Sequence, residues 1–195
     1  MKTRMMMATI LLIVLSLTLN AREPMKRFGF ELRPGISMST TKLGDADLKT
    51  GVGFEGMFEF RVIPSASVYA GWGWNKFGSE ESFAGTNMDF EETGYVLGIR
   101  YTYPLNESPL SLFARGGGIY NHIEVENAGG DIVEDSGHGW GWQAEVGVDI
   151  SMGSRWSLRP GLKYQALNRD LEFGSEVHSV DLNYLSLGVS VSRSF

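Results

Sequence analysis

The stretch GWGWQAEVGVDISM, residues 139–152, alternates between apolar and polar side chains along its whole length. Every second position from Trp140 to Met152 is apolar, whereas the positions between hold glycine, glutamine, serine and two acids, Glu145 and Asp149. A strict period of two predicts a β-strand whose two faces meet different surroundings. The question it raises is which face meets water.

The composition fits one domain and excludes several classes of protein. The chain has 195 residues, a formal net charge of −6 and no cysteine. It therefore lacks the basic stripe of a nucleic-acid binder, and it can form neither a disulfide framework nor a thiol nucleophile. No linker or low-complexity segment divides the sequence, so we expect a single domain without a cofactor.

Residues 1–21 are typical of a signal peptide. Lys2 and Arg4 make the start positive, and residues 5–19 carry no charge. An apolar run of about 15 residues is short for a membrane-spanning helix but typical of a secretory signal. We expect cleavage near Ala21, which leaves an exported chain with a net charge of −8 and a folded domain at residues 26–195.

The alternation of the first stretch recurs along the chain. Seven further strands are predicted at residues 28–38, 51–62, 68–75, 94–103, 110–120, 156–166 and 185–195. Eight strands of about ten residues have the even number and the length of strands that cross a bilayer. The sequence therefore predicts an all-β fold.

The connections between these strands alternate in length. Long connections are expected at roughly 40–49, 78–90, 122–137 and 168–180, and short ones at 63–66, 104–109 and 153–155. An up-and-down antiparallel sheet sends the long loops to one end and the short turns to the other. Bacterial outer-membrane barrels have this asymmetry, with the short turns on the periplasmic side.

The polar face suits the inside of a narrow barrel. The interior of an eight-stranded barrel is only wide enough for side chains, and buried charges need partners. The polar face is rich in glycine and serine, and its acids and bases nearly balance. A soluble, lipocalin-like barrel would instead turn its apolar face inward around a ligand. We expect a lumen charge network of Glu31, Arg33, Glu55, Glu59, Arg61, Arg100, Arg115, Glu145, Asp149, Arg159 and Lys163.

The aromatic residues of the apolar face sort to its two ends. Aromatic rings concentrate at the headgroup level of a bilayer, so two girdles indicate a face that meets lipid. The girdle expected at the end with the short turns consists of Phe28, Phe30, Phe58, Phe60, Tyr101, Tyr103, Trp156 and Phe195. The girdle expected at the end with the long loops consists of Trp72, Trp74, Tyr95, Tyr120, Trp140 and Trp142.

The carboxyl-terminal stretch NYLSLGVSVSRSF carries a further pattern. It ends on Phe195, with Leu187, Val189 and Val191 on the same face. This pattern resembles the assembly signal of outer-membrane barrel proteins, although Arg193 stands where that signal is usually hydrophobic. Residues 26–195 as a whole resemble the eight-stranded outer-membrane β-barrel family of the OmpA/OmpX type.

The resemblance implies an eight-stranded antiparallel up-and-down transmembrane β-barrel with a periplasmic amino terminus. It further implies a Gram-negative outer membrane as the location, with lipopolysaccharide and the barrel assembly machinery as partners. Two prolines, Pro34 and Pro160, interrupt this scheme because proline cannot donate to a strand ladder. We expect bulges or lost hydrogen bonds at both.

Enzymatic chemistry has one candidate. His178 stands beside Ser179 and near Asp181, which would suit a lipid-A acyl hydrolase or transferase. Neighbouring residues of an extended segment point in different directions, so we assign no catalytic residue.

Metal binding has a weaker signal. The predicted long loops are acidic, but no spacing matches a defined calcium loop, so we assign no metal site. These loop acids are Glu80, Glu81, Glu91, Glu92, Glu124, Glu126, Asp131, Glu134, Asp135, Asp170, Glu172 and Glu176. The two remaining histidines, His122 and His138, lie in or beside the loops.

The sequence therefore predicts a non-enzymatic outer-membrane protein. We expect its lumen to be plugged by salt bridges and its four long loops to contact surface partners. A lipid-modifying enzyme, a small porin and a soluble binding protein are the alternatives.

Overall fold

The computed structural model describes residues 26–106, 108–173 and 176–195, and the predicted signal peptide at residues 1–21 lies outside them. Nine strands make up this part of the chain. They are β1 (Phe28–Ser39), β2 (Gly51–Ile63), β3 (Ala66–Ser82), β4 (Gly85–Pro104), β5 (Leu110–Glu126), β6 (Ile132–Asp135), β7 (Gly139–Met152), β8 (Trp156–Phe173) and β9 (Glu176–Ser194).

Eight of the nine strands form a closed antiparallel ring. Each strand pairs with the next along the chain, with β5 pairing β7 directly, and β9 returns to β1. The short strand β6 is an addition that pairs with β5 outside the ring. No helix among the described residues has the length and hydropathy needed to cross a bilayer. The predicted eight-stranded up-and-down arrangement is confirmed.

The predicted strands were too short at one end of the ring. Residues 78–90 and 168–180, expected as loops, belong mostly to two tall hairpins, β3–β4 and β8–β9. Their pairing continues to Ser82↔Gly85 and to Phe173↔Glu176. Beyond a bilayer the outer face need not be apolar, so the alternation stops while the backbone ladder continues. We call this the loop end, and the opposite end, with its short connections, the turn end.

The two faces of the strands differ sharply in exposure. Outward-facing Leu97 and Ile99 are 66% and 61% exposed, whereas inward-facing Glu31 and Glu145 are 0% and 2% exposed. A soluble barrel would show the opposite pattern. The apolar face is therefore the outer face.

Both prolines break a ladder without shifting its register. The pairing of β1 with β9 omits Arg33 and Pro34 and resumes at Gly35↔Gly188 in the same register. The pairing of β7 with β8 likewise skips Pro160. The interrupted pairing agrees with the expected loss of hydrogen bonds at both prolines. The expected bulges are not found there, because the register is unchanged on either side.

Glycines let charged side chains fill the interior. A Cβ added at Gly188 would lie 2.7 Å from Cζ of Arg33 and 2.8 Å from the backbone oxygen of Pro34. Gly56 is a contrasting position in the same ring, since its nearest neighbour is the Phe30 ring at 4.0 Å. The absence of a side chain at Gly188 therefore makes space for the Arg33 guanidinium.

We predict that Gly188→Ala lowers the free energy of unfolding by about 1–3 kcal/mol, because the methyl group overpacks the interior. Urea unfolding of the protein refolded in detergent micelles measures the change. Gly56→Ala, with open space at its Cβ, is the control and should change stability by less than about 0.5 kcal/mol. Equal effects of the two substitutions would refute the packing argument.

Candidate functional site

The middle of the ring contains a network of paired charges. Glu31 accepts a hydrogen bond from Nη1 of Arg115 at 2.8 Å and another from Arg159. Glu145 accepts from Nε of Arg33 at 3.0 Å and from Nε of Arg115 at 2.8 Å. Arg115 therefore joins the two carboxylates into one network.

Further pairs surround this centre. Nζ of Lys163 lies 2.6 Å from Glu55, and Nη1 of Arg100 lies 2.8 Å from Glu59. Towards the turn end, Nε of Arg159 lies 2.7 Å from the half-buried Asp149. Ten of the eleven residues expected in the network thus meet one another as five acids and five bases, so their formal charges cancel.

Arg61 is the eleventh residue and lies apart from the others. It is half-buried and lines a polar pocket of about 240 Å³ at the turn end, together with Arg100 and Asp149. This pocket ends where the charge network begins, since Arg159 also lines it.

A second polar layer lies above the network, around Glu92. This carboxylate is 3% exposed and accepts hydrogen bonds from Nε2 of Gln165 at 2.6 Å and from Oη of Tyr184 at 2.7 Å. Asn75 and Asn121 also donate to it. Glu92 was expected in a loop, which is wrong. It shares the parity of inward-facing Gly94 and Arg100, so extending the alternation would have found it.

The interior becomes apolar at the loop end. A cluster of buried side chains fills the space above Glu92, and Leu43 and Ala46, from the connection between β1 and β2, close it from above. Among these side chains are Phe77, Phe90, Ile123, Val125, Leu167, Leu171, Val180 and Leu182.

The predicted girdle residues all lie on the outer face, where each is exposed or half-buried. At the loop end, Trp72, Tyr95, Tyr120 and Trp140 are direct neighbours on four successive strands of the ring. At the turn end, Phe28 faces Phe60, with ring centroids 5.3 Å apart.

The two aromatic ends stand slightly closer together than the height of the apolar band of a typical outer-membrane barrel, which is about 25 Å. Tyr95 and Tyr103 lie eight residues apart on β4, which is about 26 Å of strand and about 20 Å along the axis at the usual tilt. Phe54 was not among the expected loop-end aromatics, although its ring centroid lies 5.7 Å from that of Trp72.

The expected assembly-signal residues line one side of the seam between β9 and β1. Leu187, Val189 and Val191 point outward, and the backbone N–H of Phe195 donates to the carbonyl of Phe28 at 2.9 Å. The guanidinium of Arg193 lies over the Trp156 ring, 5.4 Å from its centroid. Its charge therefore stays at the turn-end surface.

The candidate catalytic pair is not arranged for catalysis. The His178 ring stacks on Phe83, with centroids 4.9 Å apart, on the inward-facing parity of β9. Ser179 is exposed on the opposite face, where its Oγ lies 3.4 Å from Nδ2 of Asn168. A nucleophile and its base must lie within hydrogen-bond reach, which this geometry does not provide.

Another cluster of titratable groups lies on the outer face, above the loop-end aromatic row. Nδ1 of His122 lies 2.8 Å from Oδ1 of Asp135 and 4.0 Å from Oε1 of Glu124. Burial alone would raise the pKa of Asp135, but hydrogen bonds from His122 and from the Gly137 N–H lower it overall. The His138 ring stacks on His122, with centroids 4.3 Å apart and planes at 16°.

We predict that Glu31→Gln lowers the free energy of unfolding by about 3–5 kcal/mol, because it leaves the buried network with one more positive than negative charge. Urea unfolding in micelles measures the loss. Asp47→Asn removes an exposed ion pair with Lys42 and should cost about 1 kcal/mol or less. If both variants unfold at the same urea concentration, the buried network is not a source of stability.

Three solved structures have folds similar to that of this chain. Neisserial surface protein A has a TM-score of 0.66 at 15% identity, covering 86% of this chain and 97% of that one. Outer membrane protein OprG from Pseudomonas aeruginosa has a TM-score of 0.58 at 13% identity, covering 87% and 96%. Outer Membrane Protein W from E. coli has a TM-score of 0.56 at 16% identity, covering 88% and 100%.

These likenesses concern the fold alone, and a search of curated proteins gave no significant match. The sequence also matches the family described as "Outer membrane protein beta-barrel domain" over residues 8–195. This match covers nearly the whole chain, and the ring, its apolar outer face and its aromatic ends agree with it. The chain belongs to the outer membrane protein beta-barrel domain family, and its place is the outer membrane of a Gram-negative bacterium.

Proposed function

We propose that this protein is a non-enzymatic outer-membrane barrel with a closed lumen, which acts through its extracellular hairpins. The observation that carries the proposal is the filled interior. Paired charges, the hydrogen-bonded Glu92 and an apolar cluster follow one another from the turn end to the loop end. A solute crossing the lumen would have to separate buried ion pairs and then displace packed apolar side chains.

The extracellular hairpins supply the surface for partners. From Trp74 to Ser82, β3 continues for about 26 Å of strand beyond the loop-end aromatics. Ile132, Val133 and Val177 are 56%, 43% and 62% exposed in this part of the protein. Apolar side chains exposed to water beyond a bilayer favour protein or glycan contact, and loops held on a rigid scaffold are common binding elements.

The outer face and the seam fit the remaining partners. The location implies contact with lipid and lipopolysaccharide, and the exposed apolar side chains of the ring suit acyl chains. Leu187, Val189 and Val191 form an outward stripe on β9 at the closing seam, and Phe195 follows beyond Arg193. This stripe supports our proposal that the barrel assembly machinery recognises the last strand.

We predict negligible conductance in planar bilayers, because paired charges and packed apolar side chains of the described residues fill the lumen. Arg33→Ala/Glu145→Ala, which removes two central side chains, should conduct measurably more than wild type if it folds. Its folded state is checked by heat-modifiable electrophoretic mobility. A stable channel of large unit conductance in the wild-type protein would overturn the closed-lumen proposal.

The surface role predicts that loss of a hairpin changes binding but not membrane insertion. A photo-reactive amino acid at the exposed Glu81 should cross-link to extracellular molecules, whereas one at the outward-facing Leu97 should cross-link to lipid. Replacing residues 79–88 by a two-residue turn should abolish surface binding while the barrel still folds.

The alternative of a lipid-modifying enzyme is tested by comparing bacteria with and without the protein. The lipid-A mass spectrum should be identical with and without the protein. A mass shift that disappears in Ser179→Ala would show lipid modification and overturn the non-enzymatic proposal.

A further inference from the structure

We propose that His122, Glu124 and Asp135 form a binding site for a divalent transition-metal ion of the Zn²⁺ class, with His138 as the fourth ligand. The site lies on the outer face at the loop end, and it is independent of the closed lumen and of the surface partners proposed above.

The geometry of the three ligand atoms is close to that of a zinc site. One nitrogen of His122 and one carboxylate oxygen each of Glu124 and Asp135 all lie within 4.8 Å of one another. Zinc–ligand bonds of about 2.0–2.2 Å place tetrahedral ligand atoms about 3.3–3.6 Å apart. The separations of 2.8 and 4.0 Å from the His122 nitrogen bracket this value, so small side-chain rotations suffice.

The backbone fixes the three side chains in place. His122 and Glu124 are two residues apart on β5 and therefore project from the same face. Asp135 on β6 is the direct pairing partner of Glu124. Two hydrogen bonds between Ile123 and Ser136 hold the strands together beside the site, at 2.8 and 3.0 Å.

His138 is placed to complete the coordination. Its ring already stacks on His122, and it is exposed between Gly137, which has a φ of 64°, and Gly139. The His138 ring also packs against Tyr120, with centroids 5.3 Å apart, so coordination requires the imidazole to turn away from this contact.

The ligand set selects the class of metal. Two imidazoles with two carboxylates favour Zn²⁺, Cu²⁺ or Ni²⁺ over Ca²⁺ and Mg²⁺, which prefer oxygen ligands alone. Glu91 is the direct pairing partner of Glu124, which adds negative charge beside the site. Nζ of Lys76 lies 2.8 Å from Glu91, so the negative charge of Glu91 already has a positive partner.

The competing explanation is a metal-free latch in which the His122–Asp135 hydrogen bond alone attaches β6 to β5. The two explanations differ in their response to added metal. A latch needs no ion, whereas a metal site gains stability whenever the ion binds the folded state.

The experiment uses the full mature chain, refolded in detergent micelles, stripped with EDTA and carrying no polyhistidine tag. Calorimetric titration with Zn²⁺ should show one saturable site, and Zn²⁺ should raise the unfolding temperature. His122→Ala and Asp135→Asn should each lower the Zn²⁺ affinity about tenfold or more. Millimolar Mg²⁺ or Ca²⁺ should not displace the ion.

His178→Ala is the matched control, because it removes the one histidine outside the cluster and should leave affinity unchanged. The difference in unfolding temperature with and without Zn²⁺ is compared within each variant, so a variant of lower basal stability remains informative. No saturable binding, equal binding by His122→Ala and wild type, or displacement by Mg²⁺ would each overturn the proposal.

Discussion

Pairing of buried charge is the constraint on which the interior of this barrel depends. The ring leaves room for side chains but not for bulk water, so each carboxylate must find a cation or several donors inside it. Arg115 meets this requirement by contacting Glu31 and Glu145 at once. Glu92, farther from the bases, is instead surrounded by amide and hydroxyl donors. Glycine at positions such as 188 follows from the same requirement, because guanidinium groups need the space of a missing side chain.

The period of two made most of the ring predictable. It located all eight ring strands and identified the inward face. This was possible because every residue of a membrane-spanning strand faces either lipid or the charged interior. The pattern could not show where β4 begins or where β8 ends, since both extend past the bilayer with mixed outer faces. Glu92 was misplaced for this reason.

The histidine cluster was equally hidden from the sequence. His122 and Asp135 are thirteen residues apart and come together only because β6 folds back on β5. A strand of four residues with exposed apolar side chains has no clear alternation. Phe54 and the loop-end tryptophans differ in this respect, because their contacts follow directly from strand register. Contacts that follow from strand pairing can thus be predicted from the sequence. Contacts made by segments that extend beyond the bilayer cannot.

The seam between β1 and β9 governs when the fold can form. Gly29 pairs with Ser194, so nearly all of the described chain separates two residues that must touch. Contacts of such long sequence separation form slowly, and until they form both edge strands present unpaired backbone groups that attract other chains. A fragment that lacks β9 therefore cannot close the ring. Closure has to follow completion of the last strand, and β1 keeps one unpaired edge until then.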